Sequence, residues 1–410
     1  MPAGRRVVIT GIGAISSIGS GIDEIVGALR EGRSGIVAMP EWAGMSSQIA
    51  GLPERLPACD WVPRRLLKAA PSAGRMGLAA SFEAIHRADL SLDEVRGTRL
   101  AVLIGSGSGS SLSNWEACDS YRRRGTTRRV SPYAVPHVMG STVSANVSVA
   151  LGTRGESWSV SSACSTGAHA IGLGCLMIRH GYYERALVGA SEEIDWCRSA
   201  AFDAMHSLST SFNDRPEKAS RPFDRERDGF VLSGGAGVLL IEELEAALAR
   251  GAPILAEIVG FGASSDGHDM VVPRFEGAVE AMRKALDDAA IAPEQVDYVN
   301  AHGTSTPYGD VSEARAMAEV FGSRQPFISS TKSMTGHAIG AAGSLEAIYC
   351  VLMIRDGFLA ANINLEAVDP ACAHLKIVTS PTFEHSLDLC ASNSFGFGGT
   401  NACLLLRRFE

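Results

Sequence analysis

Strand-like and helix-like segments alternate along this chain with no flexible linker between them. Arg99-Leu-Ala-Val-Leu-Ile104 reads as a buried strand, and a helical zone runs from about Pro136 to residue 150. Trp158-Ser-Val-Ser-Ser-Ala163 alternates and reads as a short buried strand. The small and apolar run that follows Cys164 as far as Gly181 reads as a buried helix, and Arg185-Ala-Leu-Val188 as the next strand. Apolar strands interleaved with helices need helical cover on their faces, so the expected class is α/β.

Bulk properties narrow the function classes. Of 410 residues, 46% are hydrophobic and 20% charged, an ordinary globular composition. A chain this long buries roughly three quarters of its unfolded surface. The net charge of −8 argues against a general nucleic-acid binder. No apolar run approaches the roughly 18 residues of a membrane span. Met1-Pro-Ala-Gly-Arg-Arg6 leads straight into Val7-Val-Ile-Thr10, with no signal-peptide pattern. The nine cysteines include no CxxC pair, which argues against a zinc site or a disulfide framework and favours the cytoplasm.

Two internal echoes point to duplication. Val7-Val-Ile-Thr-Gly-Ile-Gly13 has a counterpart in Glu257-Ile-Val-Gly-Phe-Gly262, and Thr166-Gly-Ala-His-Ala-Ile-Gly172 in Thr335-Gly-His-Ala-Ile-Gly340. Their common order suggests two similar halves, residues 1–253 and 254–410. Gly11-Ile-Gly13 is not a dinucleotide fingerprint, because the third glycine is replaced by Ser16; no P-loop is present. Other glycines cluster at Gly105–Gly109 and Gly234–Gly237, read as turns.

Cys164 stands at the strand-to-helix junction. A thiol there faces the positive end of a helix dipole, which favours thiolate and suits a nucleophile that carries an acyl group. Cys118, Cys175, Cys197, Cys350, Cys372, Cys390 and Cys403 read as small hydrophobes. Three later segments combine His, Gly and Thr: Val299-Asn-Ala-His-Gly-Thr-Ser-Thr306, Ser330-Thr-Lys-Ser-Met-Thr-Gly-His337 and Ser392-Asn-Ser-Phe-Gly-Phe-Gly-Gly-Thr-Asn401. The first two place His302 and His337 after strands, where α/β sheets bind ligands. The glycines of the third allow backbone N–H groups to converge on one point. His137, His180, His206, His268, His374 and His385 read as structural or surface residues.

Together these segments resemble the elongating β-ketoacyl-[acyl-carrier-protein] synthases of the thiolase superfamily. Glu31-Gly-Arg-Ser-Gly-Ile36, Phe202-Asp-Ala-Met205, Pro216-Glu-Lys-Ala-Ser-Arg221 and Arg227-Asp-Gly-Phe230 extend the resemblance, and the last three lean toward the synthase I branch. It implies a thiolase-like layered α/β/α/β/α sandwich and a ping-pong, decarboxylative Claisen condensation in fatty acid or related biosynthesis. Substrates would ride on the phosphopantetheine of acyl carrier protein, with no other cofactor and no metal. Cys164 would be the nucleophile. His302 and His337 would hydrogen-bond the malonyl thioester carbonyl. The backbone N–H groups of Cys164 and Phe397 would form the oxyanion hole, with Phe397 also gating the acyl pocket. Lys332 would tune the site electrostatically, paired with nearby Glu313. Thr304 and Thr306 would bind the phosphopantetheine arm. Phe202, Met205, Phe230 and Phe395 would line the substrate channel. Ser165 departs from the Ala usual in synthase I, which leaves acyl-chain preference open.

The resemblance also implies a homodimer, with a heterodimer beside a related subunit as the alternative. Exposed-looking basic clusters at Arg64-Arg65 with Lys68, and at Arg122–Arg124 with Arg128-Arg129, are candidate docking points for the acidic carrier: Arg65, Lys68, Arg128 and Arg129 in particular. Biosynthetic thiolases use a second catalytic Cys and the initiating synthases a His–Asn pair, so His337 favours the elongating class. Chain-length factors lack the nucleophile that Cys164 supplies, and a generic Cys–His hydrolase would release free acid.

Overall fold

The computed structural model describes residues 4–56, 58–98 and 100–410. Arg99, at the start of one expected strand, and Met1-Pro-Ala3 lie outside the described residues.

Eleven strands form one continuous path: β1 (Val7–Ser16), β2 (Ala101–Gly105), β3 (Ser157–Trp158), β4 (Arg185–Glu192), β5 (Gly235–Glu243), β6 (Ala256–Ser265), β7 (Tyr298–Asn300), β8 (Phe327–Ser329), β9 (Lys376–Ile377), β10 (Leu389–Gly396) and β11 (Thr400–Arg407). Their order is β9-β8-β7-β10-β11-β6-β1-β5-β4-β2-β3. Outward from the antiparallel β1–β6 junction, both sides repeat one pattern. Two antiparallel steps (β1-β5-β4 and β6-β11-β10) are followed by two parallel ones (β4-β2-β3 and β10-β7-β8).

Three apolar clusters show the layering. The largest joins both sides of the sheet to two central helices, α2 (Thr166–Arg179) and α6 (Ala342–Asp356). A second packs α1 (Ser72–Arg87) on the outer face of the first half, through Met76, Leu78, Ala84 and Ile85 against Val102, Ile104, Val238 and Leu240. A third packs α4 (Phe275–Ala289) and α5 (Pro307–Phe321) on the outer face of the second half. The result is the expected α/β/α/β/α sandwich. Every residue of α6 from Ala342 to Ile354 is buried, as befits a helix apolar on all sides.

The glycines of the first echo serve packing. A Cβ on Gly11 or Gly13 would lie 2.0 Å from the carbonyl oxygen of Ala84 or Ala80 in α1, and one on Gly262 would lie 2.0 Å from that of Ala281 in α4. These strands carry glycine so that a helix backbone can rest directly on them. The second echo is shifted in register. Gly167 opens α2 against Ser344, and Gly343 opens α6 against Ala168. The counterpart of Thr166-Gly-Ala is therefore Ala342-Gly-Ser, and Thr335–Gly340 precedes it.

Other local expectations need correction. The strand before Cys164 is only Ser157–Trp158 and is not buried, because it lies at the sheet edge. The helical zone breaks at Met139–Ser141 into Ala134–Val138 and Thr142–Leu151. Gly235–Gly237 lie inside β5 rather than in a turn, where a Cβ at Gly237 would meet the Leu345 amide at 2.7 Å.

Gly262→Ala should therefore destabilise the protein by about 1–3 kcal/mol through overpacking. Thermal melting should show a clear drop for it and none for Gly44→Ala, whose Cβ would meet nothing within 4 Å.

Candidate active site

Cys164 sits in a 3-10 turn, Ala163–Ser165, directly before α2. Ala163 adopts φ 50, a left-handed conformation unusual for a residue with a Cβ. Hydrogen bonds hold this bend. The Ser162 amide donates to Thr166 Oγ1 (2.9 Å), which donates to the Ala163 carbonyl (2.8 Å). Ser165, the residue departing from the synthase I pattern, is buried. Its hydroxyl lies 2.9 Å from the Ser394 carbonyl and 2.6 Å from that of Thr400, tying the turn to the β10–β11 hairpin.

That hairpin tip carries Phe397. Its amide donates to the Cys164 sulfur. Gly398 and Gly399 take φ 80 and 67, which favours glycine. Gly396 has a different reason: a Cβ there would lie 2.8 Å from the Ser162 carbonyl and 3.1 Å from the Cys164 amide.

The imidazoles arrive from the second half. His337 Nε2 lies 3.0 Å from Cys164 Sγ. The His337 backbone is sewn to the strand-like segment beside it, donating to the Val231 carbonyl (2.7 Å) and accepting from the Ser233 amide (2.9 Å). The His302 ring stands 5.3 Å from that of His337, edge to face. Glu313 holds the His302 loop by accepting from the His302 amide (2.9 Å), the Gly303 amide (2.7 Å) and Asn393 Nδ2 (3.1 Å). The carboxylate expected beside Lys332 is thus a clamp for the loop. The ion-pair partner of Lys332 is Glu346, which its Nζ contacts directly in full burial. Sequence reasoning missed this role for Glu346. A lone carboxylate inside the otherwise apolar run of α6 was the available signal.

Burial dominates the electrostatics. It pushes the Cys164 thiol up to about 12, opposed by the Lys332 ammonium and the Phe397 amide. Position before a helix therefore does not by itself make Cys164 a resting thiolate, and His337 Nε2 is the neighbouring group placed to take its proton. Burial, reinforced by Lys332, holds both His302 and His337 well below the usual imidazole range, so both rings are neutral near pH 7. Neither Nδ1 has a hydrogen-bond partner among the described residues, so no protein group pins the tautomer. Burial also lifts Glu346, to about 7, with Lys332 pulling it back.

A cavity of about 350 Å³ opens onto this cluster and is lined by Cys164, His302 and His337 together with Thr304, Thr306, Phe202, Met205, Phe230, Phe395 and Phe397. Phe230 meets His337 edge-on at 5.5 Å and Phe202 meets Phe230 at 5.4 Å. Phe395 lies 5.7 Å from His302, and Thr304 and Thr306 bond each other at 3.1 Å. Met205 stands at the exposed rim. Other wall residues carry no local sequence signal: Asp228, Asp266, Val272, Arg274 and Tyr308, with His206, which reads in sequence as structural or surface. Arg65, Lys68, Arg128 and Arg129 are all exposed and lie outside the cavity. His137 links their neighbourhoods, its ring bonding the Lys68 carbonyl (3.0 Å) and Ser113 in the helix that precedes Arg128 (3.1 Å).

Known proteins resemble this chain along most of its length. Residues 4–247 match the beta-ketoacyl synthase N-terminal domain model and residues 255–366 the C-terminal one. The chain belongs to the β-ketoacyl synthase family. It is 46% identical over 408 residues to the 3-oxoacyl-[acyl-carrier-protein] synthase 1 of Haemophilus influenzae, covering 99% of this chain and 100% of that protein. A solved beta-ketoacyl synthase from Burkholderia phymatum superposes with TM-score 0.93 at 37% identity, covering 99% and 100% of the two chains. A ketosynthase complex with its type II PKS acyl-carrier protein, bound to the hexaketide, superposes with TM-score 0.88 at 27% identity, covering 99% and 100%.

In this β-ketoacyl synthase the two site imidazoles should titrate below the ordinary value of about 6.5. NMR titration checks this, and Lys332→Met should raise both values by removing the nearby cation. Their folded values lie below the unfolded one. Their contribution to stability is therefore complete above about pH 6.5 and is lost as pH falls through the folded values.

Proposed function

We infer that this enzyme condenses an acyl group held on Cys164 with malonyl-acyl carrier protein, releasing carbon dioxide and 3-oxoacyl-acyl carrier protein. The observation that carries the reading is the convergence of one thiol and two neutral imidazoles on a single cavity. The two halves, residues 1–253 and 254–410, contribute to it unequally: the first supplies the nucleophile, the second the imidazoles, Lys332 and Phe397.

The Cys164 sulfur, its proton passed to His337, attacks the acyl-carrier thioester carbonyl. The amides of Cys164 and Phe397 stabilise the resulting oxyanion, and the carrier thiolate leaves, taking the proton back from His337, which is neutral again. Malonyl-carrier then enters, its arm bonded by Thr304 and Thr306. His302 and His337 donate to its thioester carbonyl, which becomes the enolate oxygen as carbon dioxide departs. Neutral imidazoles suit this step because they donate without themselves being acids. The enolate carbon attacks the acyl-cysteine carbonyl, and the Cys164 thiolate leaves. The product is two carbons longer. Phe202, Met205, Phe230 and Phe395 line the acyl path, and Phe397 gates it. Lys332, held by Glu346, keeps both imidazoles neutral in the resting enzyme. The Glu313 clamp fixes His302.

The basic groups Arg65, Lys68, Arg128 and Arg129 dock the acidic carrier by charge. The carrier-bound chemistry supports a cytoplasmic setting and needs no cofactor of the enzyme's own. A homodimer fits the edge at β3, where Val149 on the helix Thr142–Leu151 packed against it is exposed.

Cys164→Ala should abolish condensation yet retain malonyl decarboxylation, measured as carbon dioxide release. His302→Ala or His337→Ala should slow decarboxylation by on the order of 10²–10³, the usual loss for one oxyanion donor. Full elongation by Cys164→Ala would reject the mechanism. Reversing Arg128 and Arg129 to Glu should raise KM for acyl-carrier at low salt, with the difference shrinking as salt is added.

A further inference from the structure

Cys164 belongs to a small apolar cluster with Leu208, Phe230, Leu232 and Ile339, against which Ile194 and Phe202 pack. A buried charged pair lies beside that cluster. Phe202 and Arg198 stand one turn apart on α3 (Trp196–Ala204), hence on the same face. Phe202 presents an aromatic ring to the cavity, while Arg198 presents a guanidinium that is 6% exposed.

Arg198 is held from several directions. Its Nη1 donates to Glu192 Oε1 (2.5 Å) and the Glu193 carbonyl (2.7 Å), and its Nη2 to Ser108 Oγ (2.6 Å) and the Gly109 carbonyl (2.8 Å). Glu192, fully buried at the end of β4, also accepts from Ser106 Oγ (3.1 Å) and the Gly107 amide (2.7 Å). The pair adjoins the nucleophile's surroundings through Ile339. A Cβ placed on Gly107 would lie 3.5 Å from Ile339 Cγ2 and 2.8 Å from Glu192 Oε2, and one on Gly340 would lie 2.8 Å from the same carboxylate oxygen. Ile339 itself takes φ 47.

We propose that the Glu192–Arg198 ion pair is the floor of the acyl chamber and restricts Cys164 to short acyl groups. This rests on the condensation reading above. A hydrocarbon tail extending past Ile339 would have to displace a buried ion pair whose hydrogen bonds are all made within the protein. No apolar tail replaces those bonds, and an ion pair broken in burial is strongly disfavoured.

The test is a loading panel, with acyl-carrier substrates from butyryl to palmitoyl and mass spectrometry of acylated Cys164. The wild-type enzyme should load palmitoyl more slowly than butyryl by at least the roughly 10- to 200-fold typical of a single methylene that does not fit. The double variant Arg198→Met with Glu192→Gln removes both charges together and should move the drop to longer chains while butyryl loading is kept. A purely structural pair would lower all lengths in proportion, and that result would overturn the proposal. Equal wild-type loading of palmitoyl and butyryl would overturn it as well. Failure to load at any length would reject the condensation reading and this proposal together. Should the double variant not fold, a structure of the wild-type enzyme carrying its longest accepted acyl group decides. The terminal methyl must stop on the Ile339 side of the pair, and a tail running past it would overturn the proposal.

Discussion

Everything in this site depends on two central helices meeting backbone to backbone. Gly167 in α2 and Gly343 in α6 each stand where a Cβ would strike the other helix, at 2.6 Å from the Ser344 amide and 2.9 Å from the Ala168 amide. Because these contacts fall in the first turns, the helix starts lie side by side. Cys164 precedes one start and His337 the other, so a separation of 173 residues in sequence becomes 3.0 Å in space. The repeated strand order gives each helix the same seat on its own half of the sheet.

Burial then sets the chemistry, and its effects conflict. It favours neutral imidazoles at His302 and His337, as the proposed chemistry requires, but it also raises the Cys164 thiol. Lys332 eases the second problem while reinforcing the first: one cation disfavours imidazolium and favours thiolate. An unpaired ammonium so deeply buried would be costly, and Glu346 supplies its counter-charge from the facing helix. The Lys332–Glu346 pair is therefore better understood as an electrostatic fixture of the site than as a source of stability.

Much of this was legible in local sequence. Cys164, His302 and His337 stand out because they occur beside glycine and threonine at the ends of strand-like runs. The glycines at 11, 13, 260 and 262 mark paired strands, since a short repeat survives wherever a helix backbone must rest on a sheet. Less legible were features set by long-range contact. Glu313 is near enough to Lys332 to invite pairing, yet its two oxygens are taken by the amides of the His302 loop. The helical zone past Pro136 breaks where Met139 takes an extended conformation. The cavity rim from Asp266 to Arg274 carries no local pattern linking it to Cys164.

Strand periodicity, glycine placement and residue chemistry are local properties, so the α/β class and the prominence of Cys164, His302 and His337 were readable from the chain alone. Which carboxylate answers Lys332, how far burial raises the Cys164 thiol, and the burial of the Glu192–Arg198 pair were set by the folded arrangement. Those outcomes depend on distance and desolvation, and both arise only when remote segments exclude water from one another.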